Sequence, residues 1–99
     1  MSKPRYPWWS YVKSMARRYP KLKLSAGTVN EQRERDAVAQ AIEDLSKRPD
    51  KLRLLSLVFW EGGLTLAGAA SACYVSYDTA KLWRREFLYS VARHYGLMD

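Results

Sequence analysis

The stretch that most restricts the fold is Leu64–Arg85, which has the pattern of two helices joined by a tight turn. Thr65 precedes a short alanine-rich segment and Ser76 precedes a longer amphipathic one, and both residue types are common helix N-caps. The inner positions of the first segment are small, which allows a second helix to cross it closely. These positions are Ala69, Ala70 and Cys73. The pattern predicts a helix-turn-helix over residues 64–95.

The second predicted helix has an apolar stripe and an opposite polar face. The stripe is spaced i, i+3, i+7 and i+11 and consists of Ala80, Trp83, Phe87 and Val91. Such a helix can pack by one face and enter a DNA major groove with the other. The side chains predicted to read base edges and to tune the choice of sequence are Tyr77, Asp78, Lys81 and Arg85. The predicted phosphate contacts are Ser76, Thr79 and Arg84.

The turn between these helices departs from the common pattern. The residue before Val75 is usually glycine, because the backbone there takes a positive φ, but this chain has Tyr74. A non-glycine residue in that conformation costs about 1 kcal/mol. We therefore expect the turn to be built differently. An αα-hairpin without a ligand is the alternative explanation of the whole pattern.

The charge distribution favours a polyanionic partner. A chain of 99 residues predicts one domain with a modest core, which dimerisation would help to stabilise. Its net charge is +7, and residues 1–27 contain seven bases and no acid. Such an excess on one segment favours binding to nucleic acid. Arg17 and Arg18 are the predicted phosphate contacts of this segment.

The N-terminal residues 1–20 predict a basic, aromatic helix. Its apolar stripe consists of Trp8, Val12, Met15 and Tyr19. This stripe is too large to stay in water, so it covers the core, a second copy or host RNA polymerase. Pro20 is expected to end the helix. A linker is predicted over residues 21–29 and a helical core over residues 30–99.

Two further helices are predicted before the helix-turn-helix. Thr28 and Glu31 form a capping box for the first of them, or else Asn30 is the cap, and it runs to about Lys47. Its outer face is expected to be solvated. That face consists of Glu31, Arg33, Glu34, Arg35, Asp36, Glu43 and Asp44.

The next predicted helix, Lys51–Trp60, follows a turn with an acidic cap and is expected to be the centre of the core. The glycines at positions 62 and 63 are expected to stop it, and Gly96 is expected to end the last helix. Since no alternating run long enough for a strand occurs, the fold class is all-α, a small helical bundle.

Several kinds of function have no support in the residues. Cys73 is the only cysteine and is expected to be a small buried side chain, and His94 falls in the last turn of the last helix, where it suits the helix dipole. No spacing indicates a catalytic centre, a cofactor or a metal site. No signal peptide or membrane span is evident, so a cytoplasmic location without membrane association is expected.

Three stretches together resemble the ArpU-like or RinA-like late-gene transcriptional activators of Gram-positive phages. They are RYPWWSYVKSMARRYP at Arg5–Pro20, KLRLLSLVFWEGGLTLAGAA at Lys51–Ala70 and VSYDTAKLWRREFLYSVARHYGL at Val75–Leu97, more than half of the chain. The resemblance implies a sigma-factor region-4-like helix-turn-helix that regulates phage or prophage transcription on double-stranded DNA. The alternatives are the DNA-binding part of a phage packaging subunit, and an adaptor that docks on polymerase or on a second copy without touching DNA.

Overall fold

The computed structural model describes residues 6–61 and 63–97, and the chain in these ranges forms five α-helices and no strand. The helices are α1 Trp9–Leu24, α2 Val29–Glu43, α3 Pro49–Phe59, α4 Leu66–Ala72 and α5 Tyr77–Tyr95. The predicted all-α class is therefore confirmed. The predictions for residues 1–5, and for the glycine at position 62, lie outside the described residues.

The longest helix, α5, is the centre of the bundle and packs against each of the other four. Its side chains Phe87, Leu88 and Val91 are at most 2% exposed. The prediction that α3 is the centre is wrong, and helix length gives the reason. At 1.5 Å per residue, α5 is about 28 Å long and α3 only about 16 Å, so only the longer helix reaches all of its neighbours.

The first helix, α1, continues through Pro20 and ends at Leu24. The predicted end at Pro20 is therefore wrong, and the predicted linker over residues 21–29 is helical over residues 21–24 and at Val29, where α2 begins. Leu22 is only 2% exposed, and its burial stabilises the additional turn. Local sequence signals for a helix end gave way to tertiary packing here.

The hydrogen bond that Pro20 cannot make is replaced by one from another helix. Proline has no N–H to donate to the carbonyl four residues earlier, which belongs to Ala16. That carbonyl accepts a hydrogen bond of 2.6 Å from the indole Nε1 of Trp60, at the end of α3. The polar group is satisfied, so the helix tolerates the proline.

The aromatic stripe of α1 packs within the chain. Val12 and Met15 are completely buried, and Trp8 and Tyr19 are half-buried against the core. The Tyr19 ring lies 6.1 Å from the Trp60 ring between centroids. The sequence left three packing partners open for this stripe, and in the structure it packs against the protein's own core.

The second helix begins with the predicted capping box. Glu31 N donates to Thr28 Oγ1 at 3.0 Å, and Thr28 N donates to Glu31 Oε1 at 3.1 Å, which rules out Asn30 as the cap. The helix ends at Glu43, before the predicted Lys47. The third helix starts with Pro49 in its first turn, after Arg48, whose side chain makes no capping bond.

Glu34 lies on the face of α2 that was expected to be solvated, but its side chain is buried and only 3% exposed. Arg18 donates to its two carboxylate oxygens at 3.1 and 3.0 Å, and the Tyr11 hydroxyl also donates to it. Burial alone would raise the pKa of Glu34, but these hydrogen bonds outweigh burial and hold that pKa below its ordinary value. Glu34 precedes buried Ala37 and Val38 by one turn, so it lies on the face that α1 covers.

Glu34→Gln should cost about 1–3 kcal/mol at neutral pH and should flatten the acid dependence of stability. The folded-state pKa of Glu34 lies below 4.5, so its contribution to stability is complete above that pH and is lost as the pH falls through the folded-state value. Urea unfolding at pH 7 and at about pH 3 measures this loss. Glu43→Gln, an exposed change on the same helix, should keep the wild-type dependence. Equal acid losses in wild type and Glu34→Gln would contradict the assignment.

The effects of Trp60→Phe and Pro20→Ala on the free energy of unfolding should be coupled. The first change leaves the Ala16 carbonyl without its donor and costs about 1–3 kcal/mol. The second supplies a backbone N–H at position 20, so it should be more favourable by about 1 kcal/mol in the Trp60→Phe background than in wild type. Denaturant unfolding of the four proteins of this cycle measures the coupling. Additive effects would show that the two groups do not share the carbonyl.

Candidate nucleic-acid interface

The two C-terminal helices, α4 and α5, begin with the predicted caps. Thr65 Oγ1 accepts a hydrogen bond from Gly68 N at 3.0 Å, and Ser76 Oγ accepts one from Thr79 N at 3.1 Å. Ser76 Oγ also donates to Thr79 Oγ1 at 2.9 Å, so these two predicted phosphate contacts already bond to each other. The helices pack through buried small residues. These are Ala69, Ala70 and Ala80. Cys73, expected to be buried, is half-buried.

The turn between α4 and α5 contains a tyrosine with a positive φ. Tyr74 has φ 57°, its N–H donates to Ser71 O at 3.2 Å, and Val75 N donates to Ala70 O at 3.0 Å. This pair of bonds is the usual way to end a helix on a left-handed residue. The expectation of a differently built turn is therefore wrong. The Tyr74 side chain is 96% exposed, so only the backbone cost opposes this conformation.

The prediction of an inner and an outer face on α5 is confirmed, except that Trp83 of the inner stripe is only half-buried. All of the side chains predicted to project outward are exposed. They are Tyr77, Asp78, Lys81 and Arg85. Lys81 Nζ lies 5.6 Å from the centroid of the Tyr77 ring, which places a cation over an aromatic face within the outer surface.

A groove of about 320 Å³ lies between this outer face and the start of α1. Its lining combines one tryptophan of α1 with the predicted DNA-contacting face of α5. The lining residues are Trp9, Asp78, Lys81, Leu82, Arg84 and Arg85. Trp9 was not among the residues predicted for the site. The groove therefore extends the candidate surface from one helix to two.

The bases of α1 divide between two surroundings. Arg18 bonds to Glu34 of α2 and to Ser14 at 3.1 Å, so its predicted phosphate contact competes with a structural role. Arg17 is exposed, and its Cζ lies 5.9 Å from the centroid of the Phe59 ring. Lys13, the base one turn before Arg17, is half-buried. Positions 9, 13 and 17 are four residues apart, so the sequence could have indicated that Trp9, Lys13 and Arg17 share one face of α1.

A second polar cluster joins α2 to α5. Asp44 Oδ2 accepts from Ser90 Oγ at 3.0 Å and lies 2.8 Å from His94 Nε2. The hydrogen bond from His94 holds the pKa of Asp44 below its ordinary value; burial opposes this effect, and the hydrogen bond from Ser90 adds to it. One oxygen of Asp44, Oδ2, lies between Ser90 and His94 and bonds to both, so this cluster connects the end of α2 to α5. His94 makes this cross-helix contact in addition to its place near the helix end.

Two further features are absent from residues 6–61 and 63–97. No group of three or more histidine, cysteine or acidic residues there could hold a metal ion. No helix in the same ranges is both long and apolar enough to cross a membrane.

Comparisons with family models, curated proteins and solved structures give no significant match. The resemblance to phage late-gene activators therefore rests on the quoted residues, and it stays a prediction.

Tyr74→Gly should stabilise the fold by about 1 kcal/mol, because glycine takes a positive φ without the steric cost of a Cβ. Equilibrium urea unfolding measures the change. Ala72→Gly, in the last turn of α4, serves as the control and should destabilise by about 0.5–1 kcal/mol. A loss of stability in Tyr74→Gly would mean that the tyrosine side chain makes a stabilising contact.

Proposed function

We propose that this chain binds double-stranded DNA through the first half of α5, with α4 and α5 acting as a helix-turn-helix. One observation carries the proposal. The polar residues of the first turns of α5 are exposed, whereas Ala80 and Phe87 on its opposite side are buried. A rigid helix held by its apolar face, with a free polar face, has the form that enters a major groove.

The chemistry of the exposed face supports this function. Lys81 and Arg85 carry donors that suit guanine edges, and an arginine can bind such an edge through two hydrogen bonds. Asp78 can accept from cytosine or disfavour wrong bases by repulsion. Arg84 and Arg17 provide positive charge beside this face for phosphate contacts. The net charge of +7 supports attraction to a polyanion.

Regulation of phage or prophage transcription is the use that we propose for this binding, on the strength of the sequence resemblance. A packaging subunit would use the same α5 face within a ring, so the mass of the complex with DNA separates these two uses. The adaptor alternative relied on the aromatic stripe of α1 as a docking surface. That stripe contains the fully buried Val12 and Met15, so it does not support this alternative. Host RNA polymerase and a second copy stay open as partners of other surfaces.

Affinity for duplex DNA should fall steeply with salt, because each neutralised phosphate contributes about 0.9 to the slope of log affinity against log salt. Fluorescence anisotropy with fragments selected from the encoding genome measures this slope. Lys81→Ala and Arg85→Ala should each remove about 1–3 kcal/mol of preference for the selected fragment over random duplex.

Arg93→Ala is the matched control, because Arg93 is an exposed base on α5 that lines a different groove, beside Asp44 and Lys51. It should keep the preference for the selected fragment. All three variants should unfold like wild type. A flat salt response would reject DNA binding, and an equal loss of preference in Arg93→Ala would reject the assignment to the first half of α5.

A further inference from the structure

Three bases, two on α1 and one on α5, interact with one another electrostatically, and we name them the seam cluster: Lys13, Arg17 and Arg84. Lys13 and Arg17 are one turn apart on α1, so their side chains are neighbours. Arg84 lines the groove with Trp9, which is one turn before Lys13. The charges of Arg84 and Arg17 both act on the Lys13 ammonium. The cluster therefore spans the seam between two helices.

The seam cluster has no acidic partner within the described residues. Every ion pair found in residues 6–61 and 63–97 involves other side chains. Partial burial lowers the pKa of Lys13, and the positive charges of Arg84 and Arg17 lower it further. The neighbouring Arg18, by contrast, is neutralised by Glu34. The fold thus holds three like charges together, which is unfavourable unless an anion joins them.

Part of the hydrogen-bonding capacity of the seam cluster is unused within the described residues. Arg84 Nε is buried and has no hydrogen-bond partner in the described part of the chain. Arg17 Cζ lies 5.9 Å from the centroid of the Phe59 ring, and Arg17 forms none of the ion pairs of the described residues. Guanidinium groups bind phosphate through paired hydrogen bonds, and lysine adds a point charge. Asp78, the acid of the same groove, lies nearly two turns before Arg84 on α5.

We propose that the seam cluster is an anion site that binds a backbone phosphate of the duplex whose groove α5 reads. The identity of this ligand rests on the proposed function, whereas the anion site rests on the cluster alone. On this proposal α1 is a second DNA-contacting helix, and the fixed geometry of the seam sets the register of α5 on the duplex.

Lys13→Met tests the proposal, because it removes the charge and keeps the apolar stem. The slope of log affinity against log salt should fall by about 0.9, and affinity should drop several-fold by the same factor on random and on selected duplex. Inorganic tripolyphosphate, compared with sodium chloride at equal ionic strength, should raise the melting temperature of wild type and should raise that of Lys13→Met much less. Arg17→Gln, a change at an exposed position, should reproduce both effects.

Lys23→Met is the control, since Lys23 is an exposed base on another face of α1, beside Tyr19. It should keep both wild-type responses. A salt slope in Lys13→Met and Arg17→Gln equal to that of wild type would overturn the phosphate contact and leave the proposed function intact. If no duplex binds but tripolyphosphate still stabilises wild type selectively, the anion site stands and the proposed function fails. Equal stabilisation of all variants by tripolyphosphate would overturn the anion site.

Discussion

The packing of α5 against all four other helices is the constraint on which the rest of the structure depends. This helix contributes Phe87, Leu88 and Val91 to the core that it shares with the other helices. Packing anchors the helix along its length, so the polar side chains of its first turns stand on a rigid support. Rigidity of this kind lowers the entropic cost of binding. The core and the candidate DNA-reading face are thus two sides of one helix.

Basic side chains on neighbouring turns of α1 have two different electrostatic surroundings. Arg18 is paired with the buried Glu34, and this pair joins α1 to α2. Lys13 and Arg17 have no such partner among the described residues and lie beside Arg84. The first arrangement supports the fold, whereas the second opposes it through repulsion. The uncompensated repulsion among these three bases is the physical reason for the proposed anion site.

Two positions depart from local conformational preferences. Another helix compensates for the departure at Pro20, and exposure to solvent permits the one at Tyr74. Pro20 removes a hydrogen bond inside α1, and the indole of Trp60 supplies the replacement. Tyr74 takes a left-handed backbone conformation, and its side chain extends almost fully into solvent, where it meets no clash. Proline and glycine rules describe local preferences of about 1–3 kcal/mol. Tertiary hydrogen bonds and burial are of the same size, so they can reverse such preferences.

The sequence alone determined the all-α class, the helix caps at Thr65 and Ser76, and the two faces of α5, because helical periodicity and capping depend on residues at most a few positions apart. Only the tertiary structure decided that α1 continues past Pro20, that Glu34 is buried, and that Lys13 lies beside Arg84. Each of these depends on a group from another helix, and the spacing within one helix carries no information about that neighbour. The packing around α5 decides which helix faces meet, and therefore which residues of different helices are in contact.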